Sequence, residues 1–268
     1  VNADDADRRW TRSMPEAYER YLVPVFFRPF AADLAARAAM LRPRSVLELA
    51  AGTGALTSEL LAGMPGASVV ATDLNEAMVM CGSAGQPQAR WRQADAQELP
   101  FEDGAFDLVV CQFGVMFFPD RPAAYAEVRR VLGPQGRFLF SSWGPIASHG
   151  FGAAFQTALE RATPDETPTF LPDVPHGYSD PDVVARDLEA AGLVLEAAEE
   201  VTLEGVAESA ASVATGFLTG TPVSATVAAR DDAEAVRAAV ARDMTESLGS
   251  GMVTAPMTAM VYTARPGA

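Results

Sequence analysis

The stretch Val46-Leu47-Glu48-Leu49-Ala50-Ala51-Gly52-Thr53-Gly54 decides the fold. An apolar run carries an acid near its end, passes through small residues and opens a helical stretch, Gly54–Met64. Small residues at such a turn let a ligand approach backbone N–H groups, and the helix N-terminus favours the ligand's negative end. Working outward, strand signals recur at Ser68–Leu74, Ala89–Ala96, Phe106–Gln112 and Arg137–Trp143. Helical stretches separate them, one from about Asn75 and one over Arg121–Leu132, and the turn Gly133-Pro134-Gln135-Gly136 precedes the fifth strand. Strands alternating with helices at this spacing make βαβ units and a parallel sheet.

On the N-terminal side, residues 14–41 read as one or two helices interrupted at Pro24 and Pro29. After Trp143, residues 145–180 are rich in Pro, Gly and aromatics, with a helix over Phe151–Ala162. A further helix, Pro181–Ala191, ends at Gly192 and leads into a strand, Leu193–Leu203. Residues 206–250 are Ala-rich and helical, and Thr258–Ala264 is the last strand. The expectation is a single α/β domain over 1–268, with a doubly wound, Rossmann-like, seven-stranded, mostly parallel sheet. Residues 10–41 form an N-terminal helical cover, 45–143 the cofactor-binding core, and 145–180 with 206–250 a helical lid insertion before the strand at 258–264.

Composition bounds the function. The 268 residues are 49% apolar and 21% charged, which suits one globular unit. No apolar run approaches the ~20 residues needed to cross a bilayer, and the first residues, Val1-Asn2-Ala3-Asp4-Asp5, show no signal-peptide h-region. Acidic residues outnumber basic ones 35 to 20, for a net charge of −15. There is no basic stripe, so neither nucleic acid nor a membrane surface is an expected partner. All the basic residues are Arg, a bias that reads as genome composition rather than chemistry. Cys81 and Cys111 make neither a metal spacing nor a disulfide framework, which fits a reducing, cytoplasmic compartment.

Three acids carry the functional signal: Glu48, then Asp73 at the end of the second strand, then Asp95 closing the third. In an open α/β sheet these ends line one crevice. Singly each has a bland reading: Glu48 as a solvated strand end, Asp73 as a cap for the helix at Asn75, Asp95 as a turn former. Together they set the charge of the crevice. A pyrophosphate-bearing dinucleotide would meet repulsion from Glu48, and Thr57 stands where the third glycine of G-x-G-x-x-G belongs. A sulfonium and an ammonium suit an acidic rim better. An NAD(P)-dependent oxidoreductase stays open as the alternative enzyme.

At these residues the sequence resembles the class I S-adenosylmethionine-dependent methyltransferases, in the small-molecule group that includes the ubiquinone/menaquinone-type enzymes. The family's acid-x-Gly-x-Gly-x-Gly appears as Glu48-x-Ala50-x-Gly52-x-Gly54, with Ala50 adding a methyl group at the first glycine position. Similar segments follow at Leu99-Pro100-Phe101, Phe106–Phe113, Phe117-Phe118-Pro119-Asp120 and Gly136-Arg137-Phe138. The resemblance implies S-adenosylmethionine as cofactor, with S-adenosylhomocysteine as product. Glu48, Ala50, Gly52 and Gly54 would surround its methionine end, Asp73 would take the ribose hydroxyls and Leu74 would pack on the adenine. Asp95 and the Ala96 backbone would bond the adenine edge, and Gln112 completes the implied cofactor set.

Methyl transfer mainly asks for alignment and exclusion of water, and a base only if the acceptor must lose a proton. The two histidines of the sequence, His149 and His176, are the candidate bases. Tyr18, Tyr21, Phe117, Trp143 and Tyr178 are candidate acceptor contacts. The Asn/Asp-Pro-Pro-aromatic motif of nucleic-acid amino-methyltransferases is missing at Cys111-Gln112-Phe113-Gly114, and no acidic ligand set for a metal is visible. The expected reaction is metal-independent methyl transfer to an O-, N- or C-nucleophile of a small, partly apolar molecule. A non-catalytic S-adenosylmethionine-binding regulatory module is the second alternative.

Overall fold

The computed structural model describes residues 14–267; residues 10–13 of the expected cover lie outside the described residues. Among them, seven strands form one sheet: β1 Ser45–Glu48, β2 Ser68–Asp73, β3 Arg90–Gln93, β4 Phe106–Gln112, β5 Leu132–Trp143, β6 Leu193–Ala207 and β7 Val253–Pro266. The order is β3-β2-β1-β4-β5-β7-β6. The first five strands of that order are parallel, and β7 runs antiparallel to both of its neighbours. The direction of winding reverses between β1 and β4, so the crevice belongs outside their C-terminal ends.

Alternation along the central strands separates two apolar cores. Val46, Leu108 and Val110 face one side, against Leu34 of the helix α2 Arg28–Met40 and Leu56 and Leu60 of α3 Ala55–Gly63. Leu47, Val109 and Cys111 face the other, with Tyr125 and Val128 of α5 Arg121–Val131. The α4 helix, Glu76–Gly85, joins β2 to β3 and starts where Asn75 accepts the Met78 N–H at 3.1 Å. The fifth strand starts earlier than its apolar pattern: the Gly133–Gly136 segment is absorbed into β5 as an irregularity, with the register shifting between Phe106 and Leu108.

The N-terminal region departs from its expectation. A short helix α1, Met14–Ala17, passes into a π-helical segment, Tyr18–Phe27, and then into α2 without a break. The wider turns of the π segment take in Pro24, which lacks the N–H a regular helix requires there. Pro29 falls where the π turns give way to the first turn of α2, and the helical path continues through it.

The last two strands reach beyond the rest of the sheet. β7 pairs with β5 only as far as Ala259↔Trp143, yet pairs with β6 on to Val253↔Ala207. This overhang carries the helices α9 Ala210–Gly220, α10 Val223–Ala228 and α11 Ala233–Leu248. Between β5 and β6 come α6 Gly150–Ala162, α7 Phe170–Asp173 and α8 Pro181–Ala190. Helix α9 packs on the π segment. Gly216 permits the approach, since a Cβ there would lie 2.7 Å from Leu22 Cδ2. The π segment is thereby held between the sheet edge and the insertion.

Candidate active site

The loop from β1 to α3 is shaped by three left-handed residues: Ala50 at φ 51°, Gly52 at 56° and Gly54 at 94°. Glycine takes this conformation freely, whereas Ala50 carries a Cβ that disfavours it. Its methyl group has room because residue 114 is glycine: a Cβ on Gly114 would stand 2.5 Å from Ala50 Cβ. The loop and the β4 end are therefore matched to one another.

Glu48 closes β1 and is 1% exposed. Its Oε2 accepts the Thr57 hydroxyl at 2.6 Å, so the residue in the third-glycine position serves as a partner for the acid. Burial pushes the Glu48 carboxyl up to about 8, and the negative charge of Asp73 adds to the shift while the Thr57 bonds oppose it. Among the described residues no cation forms a salt bridge with it. Asp73 receives the Gly52 N–H at 2.8 Å on one oxygen and the Asn75 N–H at 2.9 Å on the other. Asp95 accepts the Gln97 N–H at 2.8 Å, and Gln97 in turn accepts the Asp120 N–H at 3.1 Å.

These residues surround a cavity of about 970 Å³, open mouth included. Ala50, Gly52, Asp73, Leu74, Asp95, Ala96 and Gln112 all line it. Glu48 lies in a small recess that continues from it past Tyr18, Ala50 and Gln112. Gly54 lines neither; it ends the loop, and a Cβ there would sit 2.3 Å from Gln86 Oε1. Gln112 donates to the Phe27 carbonyl at 2.7 Å and so ties β4 to the π segment. The loop makes a second tie, from the Thr53 hydroxyl to Glu19 at 2.6 Å.

A second cavity of about 610 Å³ adjoins the first, with Tyr18, Phe113 and Phe117 in both walls. Trp143 lines it and stacks on Phe113, ring centroids 3.7 Å apart. His149 and His176 line it too, and burial pulls their imidazoles down to about 3 and about 4 respectively. Phe26 and Phe27 come from the π segment, Phe170 and Leu171 from α7, Phe217 from α9. No local pattern marks these as site residues, because an aromatic on a buried helix face looks the same whether it meets core or cavity.

Two candidate acceptor contacts are not brought to either cavity. The buried Tyr178 hydroxyl donates to Asp187 at 2.7 Å and accepts from Tyr125 at 3.3 Å, with the Arg121 guanidinium 4.1 Å from its ring centre. Its polar end is used in joining α5 to α8. Tyr21 points away on the π segment, half-buried beneath Arg20. Tyr18, one helical turn earlier, is the tyrosine that reaches the site, and burial drives its hydroxyl well above the usual phenol range, with Asp73 and Glu19 adding to the shift.

A family model described as a methyltransferase domain matches residues 47–140, the span from β1 to β5. A demethylmenaquinone methyltransferase from Deinococcus radiodurans is 33% identical over 171 residues, covering 59% of this chain and 71% of the relative. A ubiquinone/menaquinone biosynthesis C-methyltransferase from Acidiphilium cryptum is 30% identical over 203 residues, 67% of this chain and 77% of the relative. Among solved structures, the YcgJ protein of Bacillus subtilis superposes with a TM-score of 0.56 at 18% identity, covering 90% of this chain and 99% of that one, a likeness of fold. The fold and its crevice are those of a class I methyltransferase. The chain belongs to the S-adenosylmethionine-dependent methyltransferases, in their ubiquinone/menaquinone-type group. It is a transferase with S-adenosylmethionine as methyl donor, and both the oxidoreductase and the non-catalytic readings give way to it.

Proposed function

We propose that the first cavity holds S-adenosylmethionine and the second a small, partly apolar acceptor, the methyl group passing between them where Tyr18, Phe113 and Phe117 form the common wall. Bound S-adenosylmethionine supplies a methyl carbon made electrophilic by a sulfonium. The observation that carries the reading is the gathering of Asp73, Leu74, Asp95 and Ala96 around one cavity, with the buried acid Glu48 in its recess. Glu48 suits the ammonium of the methionine end, and a cation there would complete a carboxyl that has, among the described residues, only Thr57 as side-chain partner. Asp73 is positioned by two backbone N–H groups to receive ribose hydroxyls. Leu74 offers an apolar surface for the adenine, with Asp95 and Ala96 at its edge.

In this reading the π segment and α7 exclude water, and the Phe113–Trp143 stack presents a flat face to the acceptor. Where the acceptor must lose a proton, His176 is the candidate to receive it, with His149 second. In this reading the transfer needs no metal, because displacement at a methyl carbon already activated by a sulfonium asks mainly for alignment. The quinone-directed names of the relatives support a small-molecule acceptor. The acidic balance of the chain supports neither nucleic acid nor a membrane surface as partner, and a cytoplasmic location fits. No helix of the described residues is long and apolar enough to cross a membrane.

Calorimetric titration with S-adenosylhomocysteine, in parallel with NADH, tests the cofactor assignment. Micromolar binding of S-adenosylhomocysteine alone is expected. Binding of NADH alone overturns the roles given to Glu48 and Asp73.

A further inference from the structure

The second cavity holds an unusual pair. Among the described residues its lining includes no Asp, Glu, Arg or Lys, and its walls are mostly aromatic, in a chain with 55 formally charged side chains of those types (20 basic and 35 acidic). Its polar side chains among the described residues are His149 and His176, Tyr18 in the wall shared with the first cavity, and Thr221, whose hydroxyl is spent on the Phe217 carbonyl at 2.6 Å. The two imidazoles meet edge to face, centroids 5.4 Å apart at 83°.

Their backbone partners assign them opposite tautomers. His149 caps α6, and its Nδ1 lies 3.0 Å from the Gly152 N–H, which can only donate. That nitrogen is an acceptor, so the proton of the neutral ring sits on Nε2. His176 Nδ1 lies 2.8 Å from the Gly144 carbonyl, which can only accept. Here the proton sits on Nδ1, and Nε2 carries a lone pair. Neither Nε2 has a hydrogen-bond partner among the described residues. Burial holds both rings neutral at physiological pH, and His176 further disfavours a charge on His149.

We infer that His149 and His176 act together as the specificity-determining pair of the acceptor chamber, one donor beside one acceptor, selecting an uncharged, hydroxyl-bearing planar acceptor over carboxylates and amines. The inference rests on the second cavity being the acceptor site. A hydroxyl offers one donor and a lone pair, which matches His176 Nε2 and His149 Nε2–H at once. A carboxylate offers only acceptors, which sets lone pair against lone pair at His176 and brings a charge into a chamber with no cation among its described lining residues. An alkylammonium offers only donors and faces the His149 N–H. His149 in this role is a donor and not a base.

The test compares 2-naphthol, 2-naphthoate and 2-naphthylmethylammonium, titrated at pH 7.5 with and without S-adenosylhomocysteine. The naphthol is expected to bind at least tenfold more tightly than either ion, with a preference that stays flat from pH 5.5 to 8. Two variants separate recognition from structure. His149→Asn keeps a side-chain acceptor for the Gly152 N–H, since Asn is a good N-cap, but removes the ring Nε2–H, because the shorter amide stops short of that position. His176→Asn keeps a donor for Gly144 and removes the ring Nε2 with its lone pair, because the shorter amide does not reach that position. Each is expected to weaken the naphthol five- to tenfold while S-adenosylhomocysteine affinity stays within twofold. Equal or absent binding of the three probes, or variants that leave the naphthol preference intact, overturns the pair's role. A chamber that discriminates among the probes in a protein that does not bind S-adenosylhomocysteine would instead overturn the cofactor reading and leave the pair standing.

Discussion

The two cavities share Tyr18, Phe113 and Phe117 but are made of opposite materials. The first is bounded by carboxylates at consecutive strand ends, fixed by backbone N–H groups from their own loops and, for Asp73, also from the loop after β1. The second is bounded by aromatic rings and two neutral imidazoles drawn from segments far apart in the chain. Burial acts on both and drives the titratable groups in opposite directions, toward neutrality in each case: Glu48 keeps its proton and the histidines decline theirs. The comparison teaches that a site for a charged ligand can be built from acids left short of a partner. A site for an uncharged one needs groups that have already lost their charge.

The largest effect that would sharpen this contrast is on pH dependence. The folded chain holds the Glu48 proton to about pH 8, against an ordinary value of 4.5, so it binds more protons than the unfolded chain across that interval. This contribution to stability is present below pH 4.5 and is lost as pH rises toward 8. For His149 and His176 the ordinary value is 6.5 and the folded values are about 3 and about 4. Their contribution is present above pH 6.5 and is lost as pH falls toward 4. Urea unfolding across pH 4–8 should show Glu48→Gln removing the upper slope and His176→Asn reducing the lower one. Parallel curves for wild type and Glu48→Gln would break the comparison.

Phe217→Ala is next in size. Removing a buried ring should cost about 3 kcal/mol of stability, and S-adenosylhomocysteine affinity should hold within twofold because Phe217 does not reach the first cavity. Asp73→Ala should do the converse, weakening S-adenosylhomocysteine more than tenfold by loss of a charged contact of about 2 kcal/mol. A Kd unmoved by Asp73→Ala would contradict the assignment of that carboxylate.

The smallest effect concerns the seam between Ala50 and Gly114. Gly114→Ala should destabilise by about 1–2 kcal/mol through overpacking, read by thermal melting, and Ala50→Gly in the same chain should restore part of the loss. Additive costs would mean that the two positions do not meet as closely as 2.5 Å implies.

The first cavity was legible because its residues follow from a local rule. Each acid sits where a parallel strand ends, and parallel strands put those ends on one edge, so spacing alone gathers Asp73 and Asp95. The fit of Ala50 was legible only by half. Its methyl group was visible, but the glycine 64 positions later that accommodates it was not. The second cavity was illegible for a physical reason: the π segment and the insertion meet only in the fold, and Phe26 or Phe217 carries the same apolar signal as any core residue. Tyr178 shows the reverse error, an aromatic in the right region whose hydroxyl is consumed by Asp187 and Tyr125. Pro24 misleads in another way, since a rule written for 3.6-residue turns predicts a break that a wider turn removes.

Tyr18 stands in the wall of both cavities and belongs to a helical segment that runs unbroken into α2. A displacement of that segment would move a wall of both cavities at once, so on the proposed reading the two occupants share one wall. The consequence is one of timing: with a wall in common, a motion that releases the spent donor would also loosen the hold on the methylated product.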